Sequence, residues 1–165
     1  MRESAEPIVR RKLWHEVFEV ECVYEPGGAA PPPHFHPYHD ETFEITDGTL
    51  HAVVDGQARD IPAGGTLELR RGQVHAFWNV SVAPARVHWI SKPAMDTDRF
   101  FTGLAQLAER AQQSGAGIDK YAFAMHAAAH RDTFRLAPGG RKYVGALATP
   151  ALAIAGRLTG HRAPG

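Results

Sequence analysis

The chain has 165 residues, a length that suits one principal domain with a hydrophobic core of its own. Its 18 basic residues balance its 18 acidic residues, so the formal net charge is zero when histidine is neutral. This balance argues against a partner that is nucleic acid or an anionic membrane, because both select strongly basic surfaces.

The first predicted element is a strand between Leu13 and Tyr24. Apolar residues such as Phe18 and Val20 alternate there with glutamates, which is the period of a half-buried strand. A linker rich in proline and glycine follows at residues 25–33, and its three consecutive prolines favour an extended chain. We expect this stiff linker to present the next segment at a defined angle.

Several short strands are predicted between residues 41 and 92. The dipeptides Asp47-Gly48 and Asp55-Gly56 suit tight hairpin turns, because glycine tolerates a positive φ. A parallel sheet would need crossover helices, for which this region has no room. The segments therefore predict a mainly β, antiparallel barrel or sandwich; the strand patterns are ETFEIT, TLHAVV, TLELR, VHAFWNV and ARVHWIS.

Helical patterns replace strand patterns after the last of these segments. Asp96 or Thr97 is placed to cap an amphipathic helix that ends near Gly115. This helix is expected on the outside or at the mouth of the barrel. Asp119 is placed to cap a second helix that runs to about Arg131.

A third helix is predicted at Tyr143 to Leu158, with a break or kink near Pro150. The change from strand patterns to helical patterns predicts a β-barrel domain at residues 1–95. It also predicts a C-terminal helical extension at residues 96–165 that packs on the barrel. The apolar stretch at residues 144–156 is too short to span a membrane, which takes about 20 residues. Such an apolar segment needs a partner or the barrel to shield it from water, and we expect a homodimer.

A cluster of histidines with one glutamate is the chemically distinctive feature of the sequence. His34 and His36 are two residues apart in an extended segment, so both imidazoles point to the same face and can bind one ion. Glu41 follows after a turn, and His75 comes from a different strand. Nitrogen and carboxylate ligands without thiolate suit a divalent transition metal: iron, manganese, nickel, cobalt, copper or zinc.

Four other histidines are less clearly connected with the metal site. His39 is expected to be a solvated turn residue, with a role in proton transfer as the alternative. His88 lies in a predicted strand and faces either the cavity or solvent. His126 and His130 are one helical turn apart, but without the glutamate of a zinc-binding helix they are expected to serve surface or packing roles.

Two spaced motifs in the sequence resemble those of the cupins, a family of small β-barrel proteins. The first motif, G-x5-H-x-H-x(3,4)-E-x6-G, is matched at Gly28, His34, His36, Glu41 and Gly48. The second motif, G-x5-P-x-G-x2-H-x3-N, is matched at Gly64, Gly72, His75 and Asn79, with Arg70 in place of the usual proline. The resemblance, which covers about residues 13–92, implies a jelly-roll barrel that holds one metal ion; its implied ligands are His34, His36, Glu41 and His75.

The resemblance also implies a range of functions. Cupins with this ligand set include dioxygenases, isomerases, cyclases and decarboxylases, and the segment SKPAMDTDRFFTGLAQLAE is similar to the one that follows the barrel in quercetinase-like cupins. We therefore expect a metal-dependent dioxygenase that acts on a small aromatic or enolic substrate, with Glu41 as catalytic proton acceptor. The alternatives are a non-oxidative isomerase or cyclase, and a protein that binds or senses a small molecule without catalysis.

The lone cysteine and the N-terminal residues give an indication of the cellular compartment. Cys22 has no partner for an internal disulfide, and the first residues contain no apolar run like that of a signal peptide. We expect a cytoplasmic protein.

Overall fold

The computed structural model describes residues 17–28, 30–140 and 142–164, with the backbone alone for residues 142–148. Within these ranges the strands are β1 Phe18–Tyr24, β2 His34–Phe35, β3 Asp40–Asp47, β4 Thr49–Val54, β5 Gln57–Pro62, β6 Thr66–Leu69, β7 His75–Trp78, β8 Ala85–Lys92 and β9 Arg135–Leu136. The helices are α1 Thr97–Ser114, α2 Lys120–Ala129 and α3 Lys142–Leu158. Residues 13–16, where the first strand was predicted to begin, lie outside the described part of the chain.

Two antiparallel sheets form the body of the protein. One has the strand order β1-β8-β3-β6 and the other has the order β5-β4-β7-β2-β9. Neighbours in these orders are often far apart in sequence, as in β1 with β8 and β3 with β8. The predicted antiparallel jelly-roll architecture is confirmed.

The main hydrophobic core lies between the two sheets. Alternate residues of each strand point inward, so Phe43 on β3 and Trp89 on β8 are buried while their sequence neighbours are more exposed. Their rings stack at 5.6 Å between centroids. Burial of each large apolar side chain stabilises the fold by roughly 1.5–3 kcal/mol.

The turn at Asp47-Gly48 joins β3 to β4, as predicted, and it requires glycine. Gly48 has a φ of +77°, and a Cβ at this position would lie 2.8 Å from the Ala85 Cα. A side chain would therefore be strained by the backbone conformation and would also collide with the start of β8.

The turn before β7 accommodates Arg70 where the second motif usually has proline. The Arg70 amide N–H donates a hydrogen bond to the Gln73 side-chain oxygen at 2.8 Å, and the Gln73 N–H donates to the Arg70 carbonyl at 3.0 Å. Proline lacks the N–H needed for the first of these bonds. The turn thus keeps its closed form through the glutamine side chain.

All three helices predicted for the C-terminal region are present, and Pro150 lies inside α3. The Asp119 side chain accepts hydrogen bonds from the N–H groups of the first turn of α2, as predicted. Asp96 occupies the N-cap position of α1 but makes no capping hydrogen bond; its carboxylate instead lies 2.7 Å from His130 Nδ1. None of the helices in the described ranges is long and apolar enough to cross a membrane.

The C-terminal region also contributes a strand that was not predicted. After α2 the chain returns to the barrel, and β9 pairs with β2 so that Leu136 lies opposite His34. A two-residue strand has no detectable period, so the sequence pattern gave no signal for it. This pairing places residues 133–136 directly beside the histidine-bearing strand.

Candidate metal centre

Three imidazoles at one end of the barrel are oriented by backbone carbonyl groups. A carbonyl oxygen only accepts hydrogen bonds, so each Nδ1 atom must carry the hydrogen and donate it. The lone pair then remains on Nε2, the atom that faces away from the carbonyl. The accepting oxygens belong to Pro32 at 2.9 Å for His34, Thr133 at 2.7 Å for His36 and Gln73 at 3.1 Å for His75.

The three imidazoles lie close together, and the Nε2 atoms of His36 and His75 face the Glu41 carboxylate. Glu41 Oε2 lies 3.0 Å from His36 Nε2 and 3.6 Å from His75 Nε2. Ligand atoms of His34, His36 and His75 lie within 4.8 Å of one another. Glu41 is only 3% exposed, and no described residue gives either of its oxygens a hydrogen bond of good geometry.

This arrangement places electron-rich atoms against one another in a buried site. Lone pairs on imidazole nitrogens and carboxylate oxygens repel unless a cation or a proton lies between them. Distances of 3.0–3.7 Å between such atoms match those between neighbouring ligands around one ion with bonds of roughly 2.1 Å. The residues present therefore fit a divalent transition metal, and their tautomers are already those that a metal requires.

The pKa values follow from burial and from the carboxylate. Burial, followed by the neighbouring imidazoles, lowers the pKa of His34 to about 3, and burial lowers the pKa of His75 to about 4. Burial also acts to lower the pKa of His36, but the Glu41 carboxylate and the Thr133 carbonyl outweigh it and raise the pKa. Burial acts to raise the pKa of Glu41, but the imidazoles hold it well below its usual range. His34 and His75 are thus neutral at neutral pH.

We expect the metal-free protein to lose stability as the pH falls from about 7 to about 4. The pKa of His34 is about 3 and that of His75 about 4 in the folded protein, against 6.5 for an ordinary histidine. The unfolded chain therefore takes up protons that the folded protein does not, and the raised pKa of His36 offsets only part of this effect.

Urea denaturation of the chelator-treated protein at about pH 7.5 and about pH 5 measures this dependence. The midpoint should be lower at the acidic pH, and the difference should shrink in the variant His75→Gln. A midpoint that is equal or higher at the acidic pH would contradict the protonation states assigned above.

His39 was predicted to be a solvated turn residue, and this prediction is wrong. The side chain is only 1% exposed, its Nε2 lies 3.7 Å from Glu41 Oε1, and neither ring nitrogen has a hydrogen-bond partner among the described residues. The turn at Pro37 and Tyr38 leaves Tyr38 51% exposed and directs His39 inward. The signal was in the sequence, because His39 and Glu41 have the same two-residue spacing as His34 and His36.

The remaining histidines have structural partners away from the cluster. His88 lies on the outer face of its sheet, where its ring nitrogens are 2.8 Å from Glu19 and 3.0 Å from Glu44. His126 is buried beneath α1, and its Nε2 donates to the Phe100 carbonyl at 2.8 Å. The packing role predicted for His126 is confirmed, and the open question about His88 is resolved in favour of the outer face.

A cavity of about 570 Å³ extends from the cluster toward the helices. His34, His36 and Glu41 line one part of it, and most of the remaining wall is aromatic; prominent members are Phe43, Phe77, Trp89, Phe100, Phe123 and Phe134. Phe134, from the segment that precedes β9, stacks on the His34 ring at 4.8 Å between centroids. The volume and the lining are those of a site for a small, largely apolar molecule.

Comparison with known proteins agrees with the fold and the motifs. The sequence profile of the family described as "Cupin domain" matches residues 20–91, the segment that contains all four residues predicted as ligands. A Penicillium expansum protein named "Probable oxidoreductase patJ" is 43% identical over 49 residues, which are 29% of this chain. The match covers only 15% of that relative.

Among similar solved structures, two match about half of the chain. One is an uncharacterized conserved protein with a double-stranded beta-helix domain from Klebsiella pneumoniae, 23% identical with a TM-score of 0.46, covering 56% of this chain and 82% of that protein. Another is a sugar phosphate isomerase of the cupin superfamily from Silicibacter pomeroyi, 26% identical with a TM-score of 0.43, covering 47% of this chain and 50% of that protein.

The profile match covers both motifs and most strands of the antiparallel jelly roll. Residues 20–91 therefore form a cupin domain.

Proposed function

We propose that the protein is a metal-dependent oxidoreductase of the dioxygenase type that acts on a small aromatic or enolic substrate in the barrel cavity. The observation that carries the proposal is the convergence of imidazole Nε2 atoms on the buried Glu41 carboxylate beside an aromatic cavity. The curated relative that is 43% identical to the chain over 49 residues is named as a probable oxidoreductase, which supports the same class.

Four side chains of this chain would hold the metal. His34, His36 and His75 bind through Nε2, and Glu41 binds through its carboxylate. Once bound, a redox-active metal supplies activation of O₂ and polarisation of a coordinated oxygen. With four protein ligands, the ion would still have room for water, O₂ or substrate.

The surrounding residues prepare the substrate for reaction. The aromatic walls stack against a flat molecule and exclude water, because most of the cavity wall offers no polar group. Glu41 is held ionised by its imidazole neighbours, so it is in the form that can accept the proton of a substrate hydroxyl. The hydroxyl of a phenol or an enol is the group that this arrangement suits.

Dependence on oxygen and on the metal tests the proposal. We expect the protein as purified to contain iron, copper or another redox-active metal, and to consume O₂ when given a flavonol or a β-diketone. Activity that is the same under argon, with zinc as the native metal, would overturn the proposal in favour of an isomerase or cyclase. Turnover of no compound, with tight retention of a small molecule, would overturn it in favour of a binding protein.

Replacing His39 is expected to weaken metal binding without lowering the stability of the metal-free protein. His39 Nε2 lies 3.7 Å from Glu41 Oε1, whereas the oxygen nearest His36 and His75 is Oε2, so His39 is placed to orient the carboxylate if the two groups close to hydrogen-bond distance when a metal binds. His39→Leu should weaken metal binding by roughly 10- to 100-fold. It should leave the metal-free protein equally stable or more stable, because it removes buried nitrogens that have no partner.

The matched control for this variant is His39→Gln, whose amide N–H can donate to the same oxygen and should recover most of the affinity. Calorimetric titration with Co(II) and urea denaturation provide the two measurements. Wild-type affinity in the leucine variant would contradict a role in positioning Glu41.

A further inference from the structure

We propose that the substrate is an organic anion, with an apolar body inside the cavity and an acidic group bound by Lys120 at the cavity mouth. This inference rests on the proposed function only in taking the cavity as the substrate site. It adds a charge requirement that neither the metal cluster nor the aromatic walls imply.

The exposure of the lining residues defines the two ends of the cavity. Glu41 and His36 are each 3% exposed, and Phe43 is 1% exposed, so the metal cluster lies at the buried floor. Ile118 is 44% exposed, and Lys120, two residues further along the chain, is also exposed. A ligand that reaches from floor to mouth therefore meets imidazoles and a carboxylate first and Lys120 last.

No described residue at the mouth compensates the charge of Lys120. Glu41 is the only acidic residue among the described residues that line the cavity, and it lies at the floor. The neighbouring Asp119 is already engaged, because it caps α2 and its other oxygen lies 3.3 Å from His161 Nε2. Lys120 forms no ion pair among the described residues; its Nζ lies 5.1 Å from the centre of the Tyr121 ring.

Asp119 already caps the start of α2, so the positive charge at the mouth is that of the Lys120 ammonium, the one lysine or arginine side chain among the described residues that line the cavity. An ammonium group on a flexible stem binds carboxylate, sulfonate or phosphate as a point charge without demanding one geometry. The cavity therefore favours a bifunctional ligand, with a hydroxyl or enol toward the cluster and an anionic group toward solvent.

Two fluorescent probes that differ in one group test the charge requirement. 1-Anilinonaphthalene-8-sulfonate carries a sulfonate, whereas N-phenyl-1-naphthylamine has the same aromatic skeleton without it. Each is titrated into the full-length protein, both as purified and after treatment with a chelator. Lys120→Met should weaken binding of the sulfonate by about fivefold, and Lys120→Glu should weaken it further, with the neutral probe changed by less than about twofold.

Two control variants show whether the effect is specific to Lys120 and whether the probes bind in the cavity. Lys92→Met makes the same chemical change on β8, at a residue that does not line the cavity, and should leave both probes unaffected. Leu104→Trp narrows the cavity and should weaken both probes together. Equal effects of Lys120→Met on the two probes, or none on either, would overturn the inference, as would full binding of both probes by the Leu104 variant.

Failure of this inference is distinguishable from failure of the proposed function. Discrimination between the probes does not require the metal, so it should persist in the chelator-treated protein. A protein that binds no metal but discriminates through Lys120 would refute the proposed function and support the anionic ligand. A metal-loaded dioxygenase whose probe binding is unchanged by Lys120→Met would support the proposed function and refute the anionic ligand.

Discussion

Replacing His75 with alanine is expected to weaken the binding of a divalent metal by about 100-fold or more. His75 Nε2 has a free lone pair, lies 3.6 Å from Glu41 Oε2 and has no other partner among the described residues. Alanine removes one of the four predicted ligands, which β7 holds opposite His34 in the sheet. Calorimetric titration with Co(II) or Zn(II) measures the loss.

The matched control for this variant is His51→Ala. His51 is also a strand histidine, but its Nδ1 lies 2.6 Å from Asp60 and the residue does not line the cavity. Its substitution should leave metal affinity within about twofold of the wild type. Equal affinities in the His75 variant and the wild type would show that the metal binds elsewhere.

Truncation of Phe100 to alanine is expected to destabilise the protein by about 3–5 kcal/mol. The ring is 0% exposed and stacks between Phe134, at 4.6 Å, and His126, at 5.1 Å. Removing it leaves a void where α1, α2 and the segment before β9 meet. The surrounding elements are fixed by sheet pairing and by helix packing, so they cannot close the void fully.

Urea denaturation provides the measurement, and Val82→Ala provides the control. Val82 is 98% exposed, so its truncation should change the free energy of unfolding by less than about 0.5 kcal/mol. If Phe100→Ala were equally harmless, the packing of the helices against the barrel described above would be wrong.

The barrel was predictable because its signals are local. Alternating residues define β3 and β8, and the Asp-Gly dipeptides define the hairpins. Motif spacing identified His34, His36, Glu41 and His75, and these residues do converge at one end of the barrel. Each of these inferences depended on a period or a spacing that is visible within a few residues.

The parts that were missed depend on contacts between distant residues. Thr133 orients His36 from 97 positions away, and Phe134 stacks on His34, yet neither residue belongs to a recognisable motif. The two-residue strand β9 is too short to show a period. His39 is an exception, because its two-residue spacing from Glu41 was a signal within the sequence.

These distant contacts give the C-terminal region a role beyond that of a cover. The residues between α2 and α3 supply a carbonyl that fixes one imidazole and an aromatic ring that packs on another. Helices α1 and α2 provide part of the cavity wall, including Phe100 and Phe123. The barrel and the C-terminal residues together thus build the site.

The central claim is that one metal ion binds between three imidazoles and the Glu41 carboxylate. Anomalous diffraction from crystals of the protein, collected at the absorption edge of its native metal, tests this claim most directly. We predict a single strong peak within about 2.3 Å of Nε2 of His34, His36 and His75 and of a Glu41 oxygen. A stoichiometric metal whose peak lies away from these atoms, or no peak after reconstitution with Co(II), would contradict the account.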